Sequence, residues 1–237
     1  MSKLDNLPKI YYINLDTATE RNEHMLGMFE EYGITNFERY EAKRIPQSPR
    51  SDLTSSQYGC FISHLEVIRR IAKGSDEFAI VMEDDTDISS VDQWDFTWNQ
   101  FLERMPKFNL LQLVRCQIDP QTDVKFKVLD RNDHSAGAYL ITRDFAIQIT
   151  KLYNRDTKTL SAFKKARRTM GPVADDALFR YAHTYSVCIF SMKWLGTQIS
   201  IDGEIEKCCT DYVQSLFQKT ITLDDIIEEI KEVKNGR

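Results

Sequence analysis

The run Phe78-Ala79-Ile80-Val81-Met82 is short, wholly apolar and followed at once by Glu83, Asp84, Asp85 and, one residue later, Asp87. An apolar run of that length suits a strand buried on both faces of a sheet. Carboxylates delivered to its C-terminal end stand where open α/β sheets bind their ligands. If the chain stays extended, Glu83 and Asp85, and likewise Asp85 and Asp87, face one side and can share a hard divalent cation through oxygen. Acids after a strand also serve as solvated turns or helix caps, and on these residues alone both readings stand.

The surrounding pattern supports the sheet. Ile10 to Leu15 reads as a buried first strand, and Thr19 is placed to cap a helix carrying Met25, Met28 and Phe29 at helical spacing until Gly33 stops it. Phe37 to Ala42 reads as a second strand and Lys43 to Gln57, with Pro46, Pro49 and several serines, as a loop. Phe61, Leu65, Ile68 and Ile71 mark the apolar face of the next helix, which ends at Gly74. Beyond the acids, Trp94 to Met105 reads as helix, and Leu110 to Val114, Phe126 to Leu129 and Ala138 to Thr142 as strands. Helices are expected over Arg143 to Tyr153 and, behind Pro172, over Ala174 to Ala182. Strand-like runs at Ser186 to Phe190 and Lys193 to Gln198 precede a charged amphipathic helix over Leu223 to Lys234. The alternation predicts an α/β fold, a mostly parallel central sheet flanked by helices, in a single domain over residues 1–237 whose last part, 222–237, is the charged helix.

Composition narrows the partners. With 31 basic and 36 acidic residues the net charge is -5, which offers no general attraction to nucleic acid or anionic lipid. No apolar run reaches membrane-spanning length and the first residues lack a signal-peptide core, so a cytoplasmic protein is expected, touching a membrane at most peripherally through what it acts on. Five cysteines without a C-x-x-C pair argue against a zinc ribbon or a disulfide scaffold, and the neighbours Cys208 and Cys209 read as buried thiols. Lys164-Lys165-Ala166-Arg167-Arg168 reads as a solvated basic face. Oligomeric state is not legible here.

Four separated blocks resemble glycosyltransferase family 25, which includes lipooligosaccharide and collagen galactosyltransferases. They are Ile13-Asn14-Leu15-Asp16 with Arg21 and Met25, Gly59-Cys60-Phe61-Ile62-Ser63-His64-Leu65, Val81-Met82-Glu83-Asp84-Asp85, and Ala138-Tyr139-Leu140-Ile141-Thr142. Their order and spacing agree from about Lys9 to Ile201. The resemblance implies a GT-A type, Rossmann-like fold, a UDP-sugar donor carrying galactose or glucose, a manganese or magnesium ion, and transfer with inversion to a glycan, glycolipid or glycoprotein. The chain departs from the pattern at Thr17, where the family usually has a basic residue, at Gln57, where it has glutamate, and at Lys43-Arg44-Ile45-Pro46, where it has an Asp-Gly-like turn.

Such a transfer must neutralise a departing diphosphate and deprotonate an acceptor hydroxyl. Asp85 is the first expected metal ligand, with Asp87 beside it, while Glu83 and Asp84 are expected to serve the ribose or the shell around the metal. Asn14, Asp16 and Arg21 lie at the first strand-to-helix turn, where such folds meet a nucleotide. An ion pair is an equal reading for Arg21. Pro172-Val173-Ala174-Asp175-Asp176-Ala177-Leu178 resembles the family's Pro-Val-Asp segment, which makes Asp175, then Asp176, the expected base; the same acids would also suit a helix start. His64 reads as a structural hydrogen-bonding residue before a base. The competing classes are a catalytically silent relative that keeps the fold for binding and, more distantly, a carboxylate-metal hydrolase or nucleotidyltransferase.

Overall fold

The structure is a computed structural model that describes residues 2–48, 54–115, 126–129, 135–153, 174, 178–179, 183–193 and 220–227. Its elements are β1 (Ile10–Leu15), α1 (Thr19–Glu31), β2 (Phe37–Ala42), α2 (Ser55–Lys73), β3 (Phe78–Glu83), β4 (Thr86–Asp87), α3 (Trp98–Arg104), β5 (Leu110–Gln112), β6 (Lys127–Val128), β7 (Ala138–Thr142), α4 (Arg143–Tyr153), β8 (Thr184–Ser186) and β9 (Ser191–Met192). A 3-10 turn covers Ser89–Gln93.

Seven strands form one sheet in the order β2-β1-β3-β7-β5-β8-β6. The sheet is mixed but mostly parallel: β7 and β6 run against the other five. Strand alternation sorts the core onto two faces. Ile10, Tyr12, Ile80 and Met82 pack with Met25, Met28 and Phe29 of α1. Tyr11, Ile13, Ala79 and Val81 pack on the other face with Leu65 and Ile68 of α2 and Phe145 and Ile149 of α4. Helices therefore cover both faces of a mixed, mostly parallel sheet, as the sequence pattern predicts.

Local chemistry moved several boundaries. Thr19 is the first residue of α1 and not its cap; the cap position is Ala18, which makes no side-chain cap bond. Its buried carbonyl instead accepts from Asn14 Nδ2 at 3.1 Å. α2 begins at Ser55, inside the expected loop, because Thr54 and Gln57 form a reciprocal capping box. Gln57, a departure from the family pattern, thus closes the helix start. A second box, Thr97 with Gln100, starts α3 at Trp98, so Trp94 to Phe96 are not helical. Trp94 bridges to Ile221 and stacks on Phe96 and Phe190. Of the expected strand over Ser186 to Phe190 only Ser186 is in a strand, as the last residue of β8; residues 187–190 connect β8 to β9, which belongs to a different sheet. Leu113 and Val114 lie beyond the end of β5. Residues 223–227 are helical. The rest of the charged helix, the basic run at 164–168, Cys208 and Cys209, and most of the segments 174–182 and 193–198 lie outside the described residues.

Candidate active site

β1 and β3 are parallel neighbours, with Ile13 opposite Glu83, so their C-terminal ends open on one edge of the sheet. Past Glu83 the chain does not stay extended. Asp84 and Asp85 form a turn, and Thr86–Asp87 then pairs antiparallel with Ser191–Met192. Four bonds fix that turn. The Gly137 carbonyl accepts from the Glu83 amide and from the Thr86 hydroxyl, each at 2.7 Å. The Lys193 amide donates to the Asp85 carbonyl at 2.7 Å, and His24 Nε2 lies 3.1 Å from the Thr86 carbonyl. A Cβ at Gly137 would lie 3.0 Å from Ser135 Oγ, so a larger residue here would require the Ser135 side chain to give by a few tenths of an ångström.

The turn separates the acids. Arg21, reaching from α1, donates to Asp84 Oδ1 at 2.5 Å and to Asp85 Oδ2 at 3.0 Å. Asn14 Nδ2 donates to the other Asp84 oxygen at 2.8 Å, while Arg39 donates to Asn14 Oδ1 at 2.6 Å. Asn14, Arg21, Asp84 and Asp85 thus form one network at the end of β1 and β3. Glu83 turns the other way, toward α2: His64 Nε2 lies 3.0 Å and Cys60 Sγ 3.4 Å from its Oε1. His64 is buried and its Nδ1 lies 3.0 Å from the Tyr139 hydroxyl, a fixed hydrogen-bonding histidine as expected. Asp87 accepts from the backbone amide of Ser89 at 2.8 Å and from its hydroxyl. It also lines a cleft of about 410 Å³ with His24, Tyr32 and Lys193. Asp16 is exposed, its amide bonded to the Ala42 carbonyl at 3.3 Å. Asp175 and Asp176 lie outside the described residues, although Ala174 and Leu178 on either side are buried against the α2 and α4 face.

The electrostatics follow from burying several acids together. Burial raises the pKa of Asp85, Glu83 and Asp84 raise it further, and the opposing pull of Arg21 leaves it at about 7. Burial also works against ionisation of Glu83, but the His64 hydrogen bond and charge outweigh it and hold Glu83 below its ordinary value. For Arg21, burial is opposed by Asp85 and Asp84, which keep the guanidinium above its ordinary value. Asp85 Oδ1 is buried and has no hydrogen-bond partner among the described residues. A buried, unpaired carboxylate oxygen beside two further acids has the chemistry of a hard-cation ligand.

A sequence profile described as glycosyltransferase family 25 (LPS biosynthesis protein) matches residues 7–160. The chain belongs to glycosyltransferase family 25. The matched span contains every element from β1 to α4, hence the whole Asn14, Arg21, Asp84 and Asp85 network, and ends before Asp175. This family member is a glycosyltransferase enzyme. No curated protein matches it. One similar solved structure is a glycosyltransferase involved in the glycosylation of the major capsid of PBCV-1. It is 12% identical with a TM-score of 0.40, over 85% of this chain and 98% of that chain. Another is an active-site mutant of LgtC, 10% identical with a TM-score of 0.35, over 87% of this chain and 95% of that chain. Likenesses of that degree bear on neither donor nor acceptor. Among the described residues, no helix is long and apolar enough to cross a membrane.

Sequence reasoning missed three contributors. Arg39 lies on β2 in no motif, Thr86 sits between acids that draw the attention, and Gly137 lies just before the fourth family block.

Proposed function

We propose that this family 25 enzyme transfers a hexose, galactose or glucose, from a UDP-sugar to a hydroxyl of a glycan, glycolipid or glycoprotein, with inversion and with a manganese or magnesium ion. The observation that supports this best is the unpaired, buried Asp85 Oδ1 at the end of β3, inside the span matched by the family. Asp85 would hold the ion; Asp87, which the turn directs to Ser89, would have to release that hydrogen bond to join it as the second carboxylate. When bound, the ion supplies positive charge where negative charge collects on the departing UDP. Asn14, Asp16, Arg21, Glu83 and Asp84 form the donor side. Arg21, already flanked by Asp84 and Asp85, is placed to exchange one carboxylate for a phosphate oxygen. Asn14 fixes Asp84 and so the direction of the turn.

In an inverting displacement the acceptor oxygen attacks the anomeric carbon as the bond to the UDP oxygen breaks on the opposite face. The acceptor proton passes to a carboxylate, which we assign to Asp175, with Asp176 as the alternative. The absence of a spanning helix among the described residues fits a cytoplasmic enzyme that meets membranes through its acceptor. Calorimetry of UDP with manganese, and again with chelator, tests the reading. Metal-dependent UDP binding together with hexose transfer from a UDP-sugar panel is expected. Metal-dependent binding without any turnover would favour the silent relative, and metal-independent binding would overturn the ligand assignment.

A further inference from the structure

We infer that Cys60, His64 and Glu83 form a binding site for a thiophilic divalent cation of the zinc type, separate from the carboxylate site at Asp85. Among the described residues these three have ligand atoms, Sγ, an imidazole nitrogen and a carboxylate oxygen, all within 4.8 Å of one another. Cys60 and His64 are four residues apart on α2, one helical turn, and present their side chains on one face. Glu83 closes the triangle from the end of β3. The donors therefore come from two packed elements and not from loops, which suits a preformed site.

The distances fit. A tetrahedral zinc ion, with bonds near 2.3 Å to sulfur and 2.0–2.2 Å to nitrogen and oxygen, puts its nitrogen and oxygen ligands about 3.4 Å apart and its sulfur and oxygen ligands about 3.6 Å apart. Here His64 Nε2 is 3.0 Å and Cys60 Sγ 3.4 Å from Glu83 Oε1, so the two sides that meet at Glu83 need open by only a few tenths of an ångström, and the sulfur and nitrogen atoms lie within 4.8 Å of each other. The Tyr139 hydroxyl on His64 Nδ1, at 3.0 Å, supplies the outer hydrogen bond that orients a ligating imidazole with Nε2 toward the metal. Cys60 and Glu83 are partly exposed while His64 is buried, which leaves a fourth position open to solvent. Thiolate and imidazole select zinc over magnesium or manganese, whereas the oxygens at Asp85 select the reverse. Binding releases the Cys60 proton to solvent, and the thiolate and the Glu83 carboxylate together balance the two charges of the ion.

The inference does not rest on the donor assignment, and its test reads the metal directly. Cobalt(II), the spectroscopic substitute for zinc, is titrated into the chelator-stripped full-length protein. One equivalent should produce a thiolate-to-cobalt charge-transfer band and the intense visible bands of a tetrahedral ion, both removed by zinc. Cys60→Ser should abolish the charge-transfer band, and His64→Gln should weaken cobalt binding at least about tenfold. A band that survives in Cys60→Ser, or no band in wild type, overturns the site. Because the variants alter a packed region, wild-type protein is also alkylated with and without zinc and mapped by mass spectrometry. Zinc should slow modification of Cys60 about tenfold or more as its thiolate is engaged; an unchanged rate at Cys60 overturns the proposal whatever the variants do.

Discussion

The hydroxyl of Thr86, the first residue of β4, donates to the carbonyl of Gly137, the residue before β7, at 2.7 Å. That carbonyl also takes the Glu83 amide, so a single oxygen on the approach to β7 fixes the chain on both sides of Asp84 and Asp85. Thr86→Val keeps the shape and deletes one of these bonds at a fully buried position. The expected loss is about 1–2 kcal/mol of stability, because the Gly137 carbonyl retains its other donor. A looser turn should also weaken metal-dependent UDP binding. Denaturant unfolding and calorimetry of the variant check both; a stability loss with unaltered UDP affinity would mean that the turn is set by Lys193 and His24 instead.

Asn14 gives the sharpest test of the network. Its Nδ2 donates to both the Ala18 carbonyl and Asp84, and it is fully buried. Asn14→Asp replaces those donors with an acceptor and puts a second carboxylate against Asp84, with Arg39 as its only compensating neighbour in this set. A destabilisation of about 2–4 kcal/mol is expected at neutral pH. Because protonation restores a donor and removes the repulsion, the deficit should shrink as pH falls. A deficit independent of pH between 4 and 8 would remove charge as its cause.

Much of this site was legible in the sequence because it is built from local, periodic signals. The apolar Phe78 to Met82 run, the strand at Ile10 and the face of α2 marked the elements themselves, while the pairing of β1 with β3 that brings Asn14 to Asp84, and the packing of α1 that brings Arg21 there, came from the structure. What escaped depends on a hydrogen-bond partner distant in sequence. The turn after Glu83 is set by Gly137, over fifty residues away, and no periodicity in residues 83–87 announces that Glu83 and Asp85 diverge. The boundary errors have a different origin. Thr54 with Gln57 and Thr97 with Gln100 are capping boxes written in the sequence, but the proline-rich loop and the Trp94 to Phe96 aromatics concealed them.

Asp175 should serve the chemical step and contribute little to donor binding. Its Pro-Val-x-Asp context and the need for a base on the acceptor side motivate the expectation, and the buried neighbours Ala174 and Leu178 anchor the flanks. Losing a general base costs about 10²- to 10⁴-fold in rate, roughly 3–5 kcal/mol. Asp175→Asn and Asp176→Asn are compared in kcat and in UDP affinity, with melting curves as a folding control. Wild-type rates in both would place the base elsewhere, and joint loss of folding would identify these acids as helix-start residues.

The raised pKa of Asp85 makes a signed prediction about stability. Below the unfolded value of about 3.9 the group is protonated in both states and contributes nothing. As pH rises from there to about 7 the unfolded chain releases the proton that the folded chain retains, so the metal-free protein loses stability across that window. Glu83, held low, acts in the opposite sense: its contribution is present above its unfolded value and fades as pH falls through its folded one. Removing the Asp85 charge should therefore stabilise the metal-free protein where the burden is greatest. Asp85→Asn is expected to exceed wild type by about 1–3 kcal/mol at pH 8 and to match it near pH 4, less whatever the lost Arg21 bond costs. Added manganese should reverse the order at pH 8, stabilising wild type alone. If Asp85→Asn is less stable than wild type at pH 8 without metal, Arg21 more than compensates the buried charge, and the argument for Asp85 as a waiting cation ligand fails with it.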